Sequence, residues 1–359
     1  MGNRTIVPFG PQHPVLPEPI HLDLVVEDEK VVEAIPSIGF IHRGLEKLVE
    51  KRDYQEYVFV AERICGICSF IHGLTYCLAV EEVMKVQVPD RAKYLRIIWS
   101  ELSRIHSHLL WLGLIADAFG FENMFMQSWR IREKILDIIE ETTGGRVIFG
   151  SSKVGGVRKD ISPETMQRIL VLLNTYEKET RELGDKFLAD YTVKNRLVDV
   201  GVLTKDAGYL LGAVGPMARA SGIPQDLRQT GYSFYDKIKF EPIVSNTCDS
   251  WGRCDVRIRE IYQSFDMIRQ AAKLMEVGEI AVDVKGNPEG EFFMRTEQPR
   301  GEVVYYIKAN GTKNLERLRV RTPTFANLPP LVSILPGVEL ADVPILVLTI
   351  DPCISCTER

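Results

Sequence analysis

The sequence has no excess of positive charge: its 44 lysines and arginines are outnumbered by 49 aspartates and glutamates, a formal net charge of −5. With no surplus to neutralise phosphates, nucleic acid is a poor match as a partner. No apolar run reaches the ~18 residues of a membrane span. The most apolar helical stretch, Leu109 to Phe121, is interrupted by Asp117, so a membrane has to be reached through other subunits. The start, Met1-Gly2-Asn3-Arg4, lacks the apolar core of a signal peptide. Cysteine is sparse and odd in number, seven in 359 residues. In a long chain without a secretion signal that argues against a disulfide framework. There is no long Ser/Gly-rich linker and no evident internal repeat. Apolar residues make up 45 % and charged residues 26 %, which excludes disordered, low-complexity and collagenous chains.

What the chain does have is two Cys-x-x-Cys pairs. One is Arg63-Ile64-Cys65-Gly66-Ile67-Cys68 and the other is Asp351-Pro352-Cys353-Ile354-Ser355-Cys356. A three-residue step puts two sulfurs on one side of a helical turn, close enough to share a metal. Zinc ribbons place their half-sites within tens of residues, whereas these pairs lie at opposite ends of the chain. Spacing alone leaves a structural zinc and a softer redox metal both open. Cys77, Cys248 and Cys254 have no paired spacing and read as buried small hydrophobes.

Around the pairs the pattern predicts a mainly α fold of α+β type, with a central helix bundle and small β elements near both termini. His21–Val26 and Lys30–Ala34, separated by Glu27-Asp28-Glu29, read as a hairpin. Residues 44–88 read as helical, with Cys65 and Cys68 inside the helix. Arg91 to Gly113 is an amphipathic helix, with Leu95, Ile98, Leu102, Ile105 and Leu109 on one face. Further helices are predicted over 126–142, from Ser162-Pro163 to about Tyr191, and over 256–275. Val303–Lys308 followed by Asn310-Gly311 reads as a strand entering a type I′ turn. Pro323, Pro329, Pro330 and Pro336 are expected to break up the last segment. Since the two pairs should meet, residues 1–359 read as one domain.

The two cysteine motifs together resemble the signature motifs of nickel–iron hydrogenase large subunits. The resemblance covers the whole chain. Pro8-Phe9-Gly10-Pro11-Gln12-His13-Pro14, His42-Arg43-Gly44-Leu45-Glu46-Lys47-Leu48, Arg104-Ile105-His106-Ser107-His108-Leu109-Leu110 and Gly155-Gly156-Val157-Arg158 are similar to its membrane-bound, energy-converting branch. That branch, with its Ech-type and carbon-monoxide-induced members, is related to the quinone-site subunit of respiratory complex I. The resemblance implies a hydrogenase large-subunit-like fold and a nickel–iron centre with carbon monoxide and cyanide on the iron. Cys65 and Cys353 would be terminal nickel ligands, and Cys68 and Cys356 would bridge to iron. Nickel suits soft thiolates, and the buried negative charge of four of them needs compensation. Arg63 and Arg300 are the sequence's candidates for that, Arg300 lying in a Pro-Arg-Gly segment like the family's.

Three more residues take their roles from the same resemblance. Glu18, in Leu16-Pro17-Glu18-Pro19, would accept a proton from a terminal cysteine sulfur. Asp351 would accept hydrogen bonds near the site or pair with an arginine. Glu46 corresponds to a position that helps hold a magnesium ion, although Arg359 stands where many hydrogenases have a ligand histidine; an ion pair is the alternative. His106 and His108, with Glu101 and Arg104, read either as a proton route toward the membrane or as a solvated or interface face. His13 and His42 carry no ligand signal of their own. The implied reaction is reversible, H2 ⇌ 2 H⁺ + 2 e⁻. Cys77, Cys248 and Cys254 cannot build a Cys₄ set, so no iron–sulfur cluster is expected in this chain. Electrons would leave through a small subunit with a 4Fe–4S cluster and a ferredoxin-like subunit, toward ferredoxin. Antiporter-like integral-membrane subunits would move H⁺ or Na⁺, and the chain would lie peripherally on the cytoplasmic face of the cell membrane. Two rivals remain: a complex-I-like quinone or other redox subunit, whose relatives have lost metal-site cysteines, and a zinc-stabilised scaffold.

Overall fold

A computed structural model describes residues 4–16 and 18–359. Pro17, in the stretch that carries Glu18, and the Met1-Gly2-Asn3 start lie outside the described residues. Helices dominate and three small antiparallel sheets flank them, as the mainly α reading requires.

The central helix runs Asp90–Ala118, longer at both ends than its periodic stripe. It is buried on nearly every face, including Arg96, Glu101, Arg104, His106 and His108. The solvated-face reading of the two histidines is therefore wrong. The polar stripe is inside because the Ser250–Leu274 helix and the 216–235 segment pack over it with charges of their own. The Glu122–Thr143 helix packs on the central helix and stops at Gly144, whose φ of 89° makes a left-handed C-terminal cap. The Pro163–Ala189 helix starts as predicted, with Ser162 Oγ accepting the Thr165 N–H at 3.2 Å. It stops short of Tyr191 because Asp190 turns extended and caps a new helix, Tyr191–Leu197. Asp249 caps the Ser250–Leu274 helix by accepting the Gly252 N–H at 2.9 Å, which places that start earlier than the hydrophobic pattern does.

The N-terminal hairpin is present as His21–Glu27 and Lys30–Ser37, turned at Asp28 and Glu29. A third strand, Thr5–Phe9, pairs beside it. Pro8 obscured that strand in the sequence and is tolerated there because the strand is at the edge. The sheet's inner face, with Leu22, Leu24 and Val31, packs on Leu331, Leu346 and Ile354 from the C-terminal segment. This core brings the two ends of the chain together.

Near the C-terminus, Glu289–Gln298, Gly301–Asn310 and Arg317–Arg321 form a second sheet. Asn310-Gly311 opens a longer loop rather than a two-residue turn. The tight turn of this sheet is Pro299-Arg300, between the paired residues Gln298 and Gly301. The proline-rich segment is also helical: Pro323 begins the Pro323–Ile334 helix, and Pro329 and Pro330 lie inside it. Their two missing N–H groups are tolerated because Leu328, Leu331 and Ile334 are buried in the core that joins the termini.

Candidate metal centre

Cys65 and Cys68 are not inside a helix. The Tyr57–Glu62 helix ends before them and the Ser69–Met84 helix starts after them. In the loop, the N–H groups of Ile67 and Cys68 donate to Cys65 Sγ at 3.2 and 3.4 Å instead of joining a helical ladder. Cys353 is the N-cap of the short Ile354–Thr357 helix and Cys356 lies within it. The Cys353 N–H donates to Thr324 Oγ1 at 3.0 Å, so the proline-rich helix supports the second loop.

The two loops face each other, and all four sulfurs are buried within 4.8 Å of one another. Cys65 Sγ lies 3.3 Å from Cys353 Sγ, and Cys68 Sγ lies 3.4 Å from Cys356 Sγ. These separations exceed the ~2.05 Å of a disulfide. Sulfurs bound about 2.3 Å from a shared ion lie roughly 3 to 4.6 Å apart, so the donor set fits a thiolate-bound metal. Burial pushes the Cys353 and Cys356 thiols up, whereas hydrogen bonding to Cys353 and the other two sulfurs holds Cys65 down. Four buried thiolates cannot coexist here without a cation.

Arg300 supplies part of that positive charge. It is 2 % exposed at the tip of the Pro299-Arg300 turn. Its Nε donates to the Asp351 carbonyl at 2.9 Å, Nη2 to Asp351 Oδ1 at 2.7 Å, and Nη1 to Ser107 Oγ at 3.0 Å. Burial opposes its charge, but Asp351 and then the sulfurs of Cys353, Cys68 and Cys65 keep it protonated. Asp351 thus fixes the guanidinium beside the sulfurs. Its φ of 56° is left-handed, a conformation that the hydrogen bonds to Arg300 help to hold. Arg63 is exposed, its Nη1 donating to the Phe59 carbonyl at 2.8 Å, so it does not compensate the thiolates. The side chain points outward because the helix before it has already ended.

Glu18 reaches the second loop from the N-terminal segment. Its Oε2 accepts from the Ile354 N–H and, at 2.8 Å, from the Ser355 N–H. Burial, and then the negative charge of Cys65, raise its pKa above the usual carboxylate range. On its other side is a surface hollow of about 530 Å³ lined by His13, Leu16 and Glu18. The carboxyl therefore joins the second cysteine loop to a hollow open to solvent.

Glu46 does not fit a divalent cation. Its Oε2 accepts from Arg319 at 2.8 Å, and its Oε1 accepts from the Val320 N–H at 2.8 Å and from Arg359 Nε at 3.0 Å. Two guanidiniums already supply the charge a magnesium ion would bring, so the magnesium expectation gives way to the ion pair. His13 packs on Phe9 with ring centroids 4.4 Å apart, and His42 Nδ1 donates to the Glu358 carbonyl at 3.0 Å.

Sequence reasoning missed His72. It is fully buried, with Nε2 3.3 Å from Cys356 Sγ and Nδ1 2.7 Å from the Tyr305 hydroxyl oxygen. Burial lowers its pKa to about 4, so it is a neutral partner for the sulfur. The signal was in the sequence: His72 lies one helical turn after Cys68, on the same face. Arg43 was also missed. It donates to the carbonyls of Arg63, Ile64 and Ser355 at 2.9, 2.7 and 3.0 Å, fastening one cysteine loop to the other.

Comparisons with known proteins match this arrangement. Residues 118–287 and 284–359 match the family described as "Respiratory-chain NADH dehydrogenase, 49 Kd subunit". Residues 43–115 match "Nickel-dependent hydrogenase". The chain is 38 % identical to the membrane-bound hydrogenase subunit alpha of Pyrococcus furiosus, over 98 % of this chain and 87 % of that one. It is 37 % identical to the carbon monoxide-induced hydrogenase of Rhodospirillum rubrum, over 98 % and 99 %. The structure of the membrane-bound sulfane sulfur reductase, an archaeal respiratory membrane complex, contains a chain that superposes with a TM-score of 0.95. That chain is 27 % identical, with 99 % of each chain covered. No helix among the described residues is long and apolar enough to cross a membrane. The protein belongs to the family shared by the large subunits of nickel-dependent hydrogenases and the 49 kDa subunit of respiratory-chain NADH dehydrogenase.

Proposed function

We infer that this chain is the catalytic subunit of a membrane-associated, energy-converting nickel–iron hydrogenase that interconverts H2 with two protons and two electrons. The observation that carries the reading is the complete set of four buried cysteines, brought within one metal's reach from opposite ends of the chain. Cys65 and Cys353 would hold nickel terminally, and Cys68 and Cys356 would bridge it to an iron carrying carbon monoxide and cyanide. The close sulfur pairs, Cys65 with Cys353 and Cys68 with Cys356, agree with that division. When bound, such a centre supplies a soft electron-rich site at which dihydrogen is split unevenly.

The chain's own residues do the rest. Arg300, fixed by Asp351 and Ser107, presents a rigid cationic fork beside the sulfurs. It offsets thiolate charge and orients what enters. His72 steadies the Cys356 sulfur as a neutral partner. Glu18, anchored on the Ile354 and Ser355 N–H groups, passes protons between Cys353 and the surface hollow. Its raised pKa suits the task, since a group that titrates nearer neutrality can both take and release a proton. Cys77 and Cys254 are buried away from the centre and Cys248 is half-buried. Electrons would therefore leave to a partner subunit with a 4Fe–4S cluster, then a ferredoxin-like subunit and ferredoxin. Antiporter-like membrane subunits would use the energy to move H⁺ or Na⁺, with this chain on the cytoplasmic face and residues 1–359 acting as one domain.

The test is metal analysis with infrared spectroscopy on the complex matured in cells that build such centres. The reading expects nickel, and carbon monoxide and cyanide stretches in the triple-bond region. Cys356→Ser should abolish both, since a hydroxyl is a harder and far less acidic ligand. Zinc without nickel in properly matured protein refutes the hydrogenase reading.

A further inference from the structure

Behind the Pro299-Arg300 turn lies a second buried group that the reaction above does not use. Four carboxyls, Glu101, Asp226, Glu260 and Glu297, meet three guanidiniums, Arg104, Arg219 and Arg228. All seven side chains are almost completely buried. Arg219 links two carboxyls, at 2.7 Å from Glu260 and 2.8 Å from Glu297. Arg228 links Asp226 at 2.6 Å with Glu101 at 3.2 Å. Arg104 lies 3.3 Å from Glu101 and 3.7 Å from Glu260.

Charges in this set do not balance. With every carboxyl ionised, four negative charges face three positive ones. His108, whose Nε2 donates to Glu260 at 3.0 Å, is neutral because burial lowers its pKa to about 4, and its buried Nδ1 has no hydrogen-bond partner. Arg257, one turn before Glu260 on the Ser250–Leu274 helix, forms no ion pair among the described residues and lies over the Trp111 ring. Asp351 acts on its charge more than Glu260 does, so it stands between the cluster and the Arg300–Asp351 pair beside the thiolates. A buried net charge of this kind is costly, and one proton removes it.

Glu297 is where that proton fits. Its Oε1 accepts from Arg219 and its Oε2 from the Leu227 N–H at 3.1 Å. The groups that face it are Arg219, Asp226, Arg104, Tyr232, the cross-strand Glu302 and, two residues earlier on its own strand, Arg295. Burial raises its pKa to about 7, Arg219 and Arg104 pulling it down and Asp226 pushing it up. The residue is also tied to the metal side. Arg104 donates to the carbonyls of Glu297 and Gln298 at 3.1 and 3.3 Å, on the strand that runs into Arg300. Ser107, one turn further along the same helix, accepts from Arg300. Both polar atoms of the Gln298 side chain are buried without a partner between the two groups. Outward, Arg219 donates to the Gln225 carbonyl at 2.8 Å, and Gln225 Nε2 donates to Glu302 at 3.3 Å. Glu302 is paired with both Arg295 and Arg321, which are partly exposed, so these two cations face solvent at the outer edge of the buried set.

We propose that this buried cluster is a one-proton store for the metal centre: Glu297 takes up a proton from solvent when negative charge is added at the sulfurs, and releases it when that charge leaves. The step forms one O–H bond on the Glu297 carboxylate, with no change of redox state in the chain itself. The store rests on reading the four sulfurs as a redox centre and does not depend on which substrate is reduced there.

The test is infrared difference spectroscopy on the whole complex. In the parent, a deuterium-sensitive C=O stretch of a protonated carboxyl should be present at about pH 6, lost at about pH 8, and restored at about pH 8 when the complex is reduced. Glu297→Gln should lose that band while keeping its metal content. A parent with no such band, or a band restored by reduction that persists in Glu297→Gln, overturns the proposal; a band that titrates but ignores reduction is assigned to Glu62, which titrates in the same range, if Glu62→Gln removes it, and overturns the proposal if Glu62→Gln keeps it. The parent measurements need no variant, so a poorly folded Glu297→Gln does not block the decision. A complex without a redox metal would instead overturn the reading of the centre, and the band's titration would still decide whether Glu297 stores a proton.

Discussion

Arg300→Lys retains a positive charge and removes the planar fork. The guanidinium donates from three nitrogens, to the Asp351 carbonyl, the Asp351 carboxylate and Ser107. A lysine ammonium is a single nitrogen on a flexible stem and cannot reproduce three fixed directions. At least two of the three hydrogen bonds are lost, each worth roughly 1.5–3 kcal/mol where a charge is involved. Water entering the gap recovers part of this, but not the position of the cation beside the sulfurs. We expect the metal centre to assemble and hydrogen oxidation to fall at least tenfold, about 1.4 kcal/mol of barrier. The assay is hydrogen oxidation with an artificial electron acceptor, with metal content and infrared bands recorded on the same sample. A fully loaded variant that turns over at the parent rate would show that the fork at Arg300 does not act on the reacting atoms.

Two further outcomes are expected. Glu18→Gln keeps the acceptor for the Ile354 and Ser355 N–H groups but cannot carry a proton. It should leave metal content near normal while suppressing hydrogen production and H⁺/D2 exchange at least tenfold; exchange at the parent rate would make Glu18 a plain loop carboxylate. Glu62 is buried, accepts the Gly150 N–H at 3.0 Å, and has its pKa raised by burial to about 7. The folded state therefore binds its proton more tightly than the unfolded chain, and the stability this gives falls as pH rises through about 7. Glu62→Gln should melt progressively higher than the parent as pH is raised from about 5 to 8, and parallel melting curves would refute the assignment.

Much of this architecture was legible because its signals are local. The apolar stripe from Leu95 to Leu109, the Ser162-Pro163 cap and the 21–34 hairpin need only neighbours in sequence. The errors arose where tertiary contacts overrule local pattern. Cys65 and Cys68 leave the helix because sulfur and loop partners replace the backbone ladder. Pro329 and Pro330 stay in a helix because its apolar face is covered. His106 and His108 looked solvated because buried polar partners, the Ile67 carbonyl for His106 and Glu260 for His108, leave the same composition as a wet surface. Arg319, which helps turn Glu46 away from a cation, lies 273 positions along the chain from it, and no local pattern shows such a pairing.

Cys65 and Cys353 are separated by 288 positions. In polymer terms, an ion held by both closes a loop of nearly the whole chain, and joining two such distant points costs about 5 kcal/mol of chain entropy beyond a constant. An unfolded chain can offer an ion one cysteine pair or the other, but hardly all four thiolates at once. The folded chain has already closed the loop by other means: Glu18 on the Ile354 and Ser355 N–H groups, Arg43 on the Ser355 carbonyl, Glu358 on the Gly39 and Ile41 N–H groups, and Glu46 on Arg359. Four-fold coordination of an ion by these sulfurs would therefore be a late event that reports completed folding. Its binding energy would go to the native state alone, and release of a clasped ion would be aided by the short Ile354–Thr357 helix lifting away from Glu18 of the N-terminal segment.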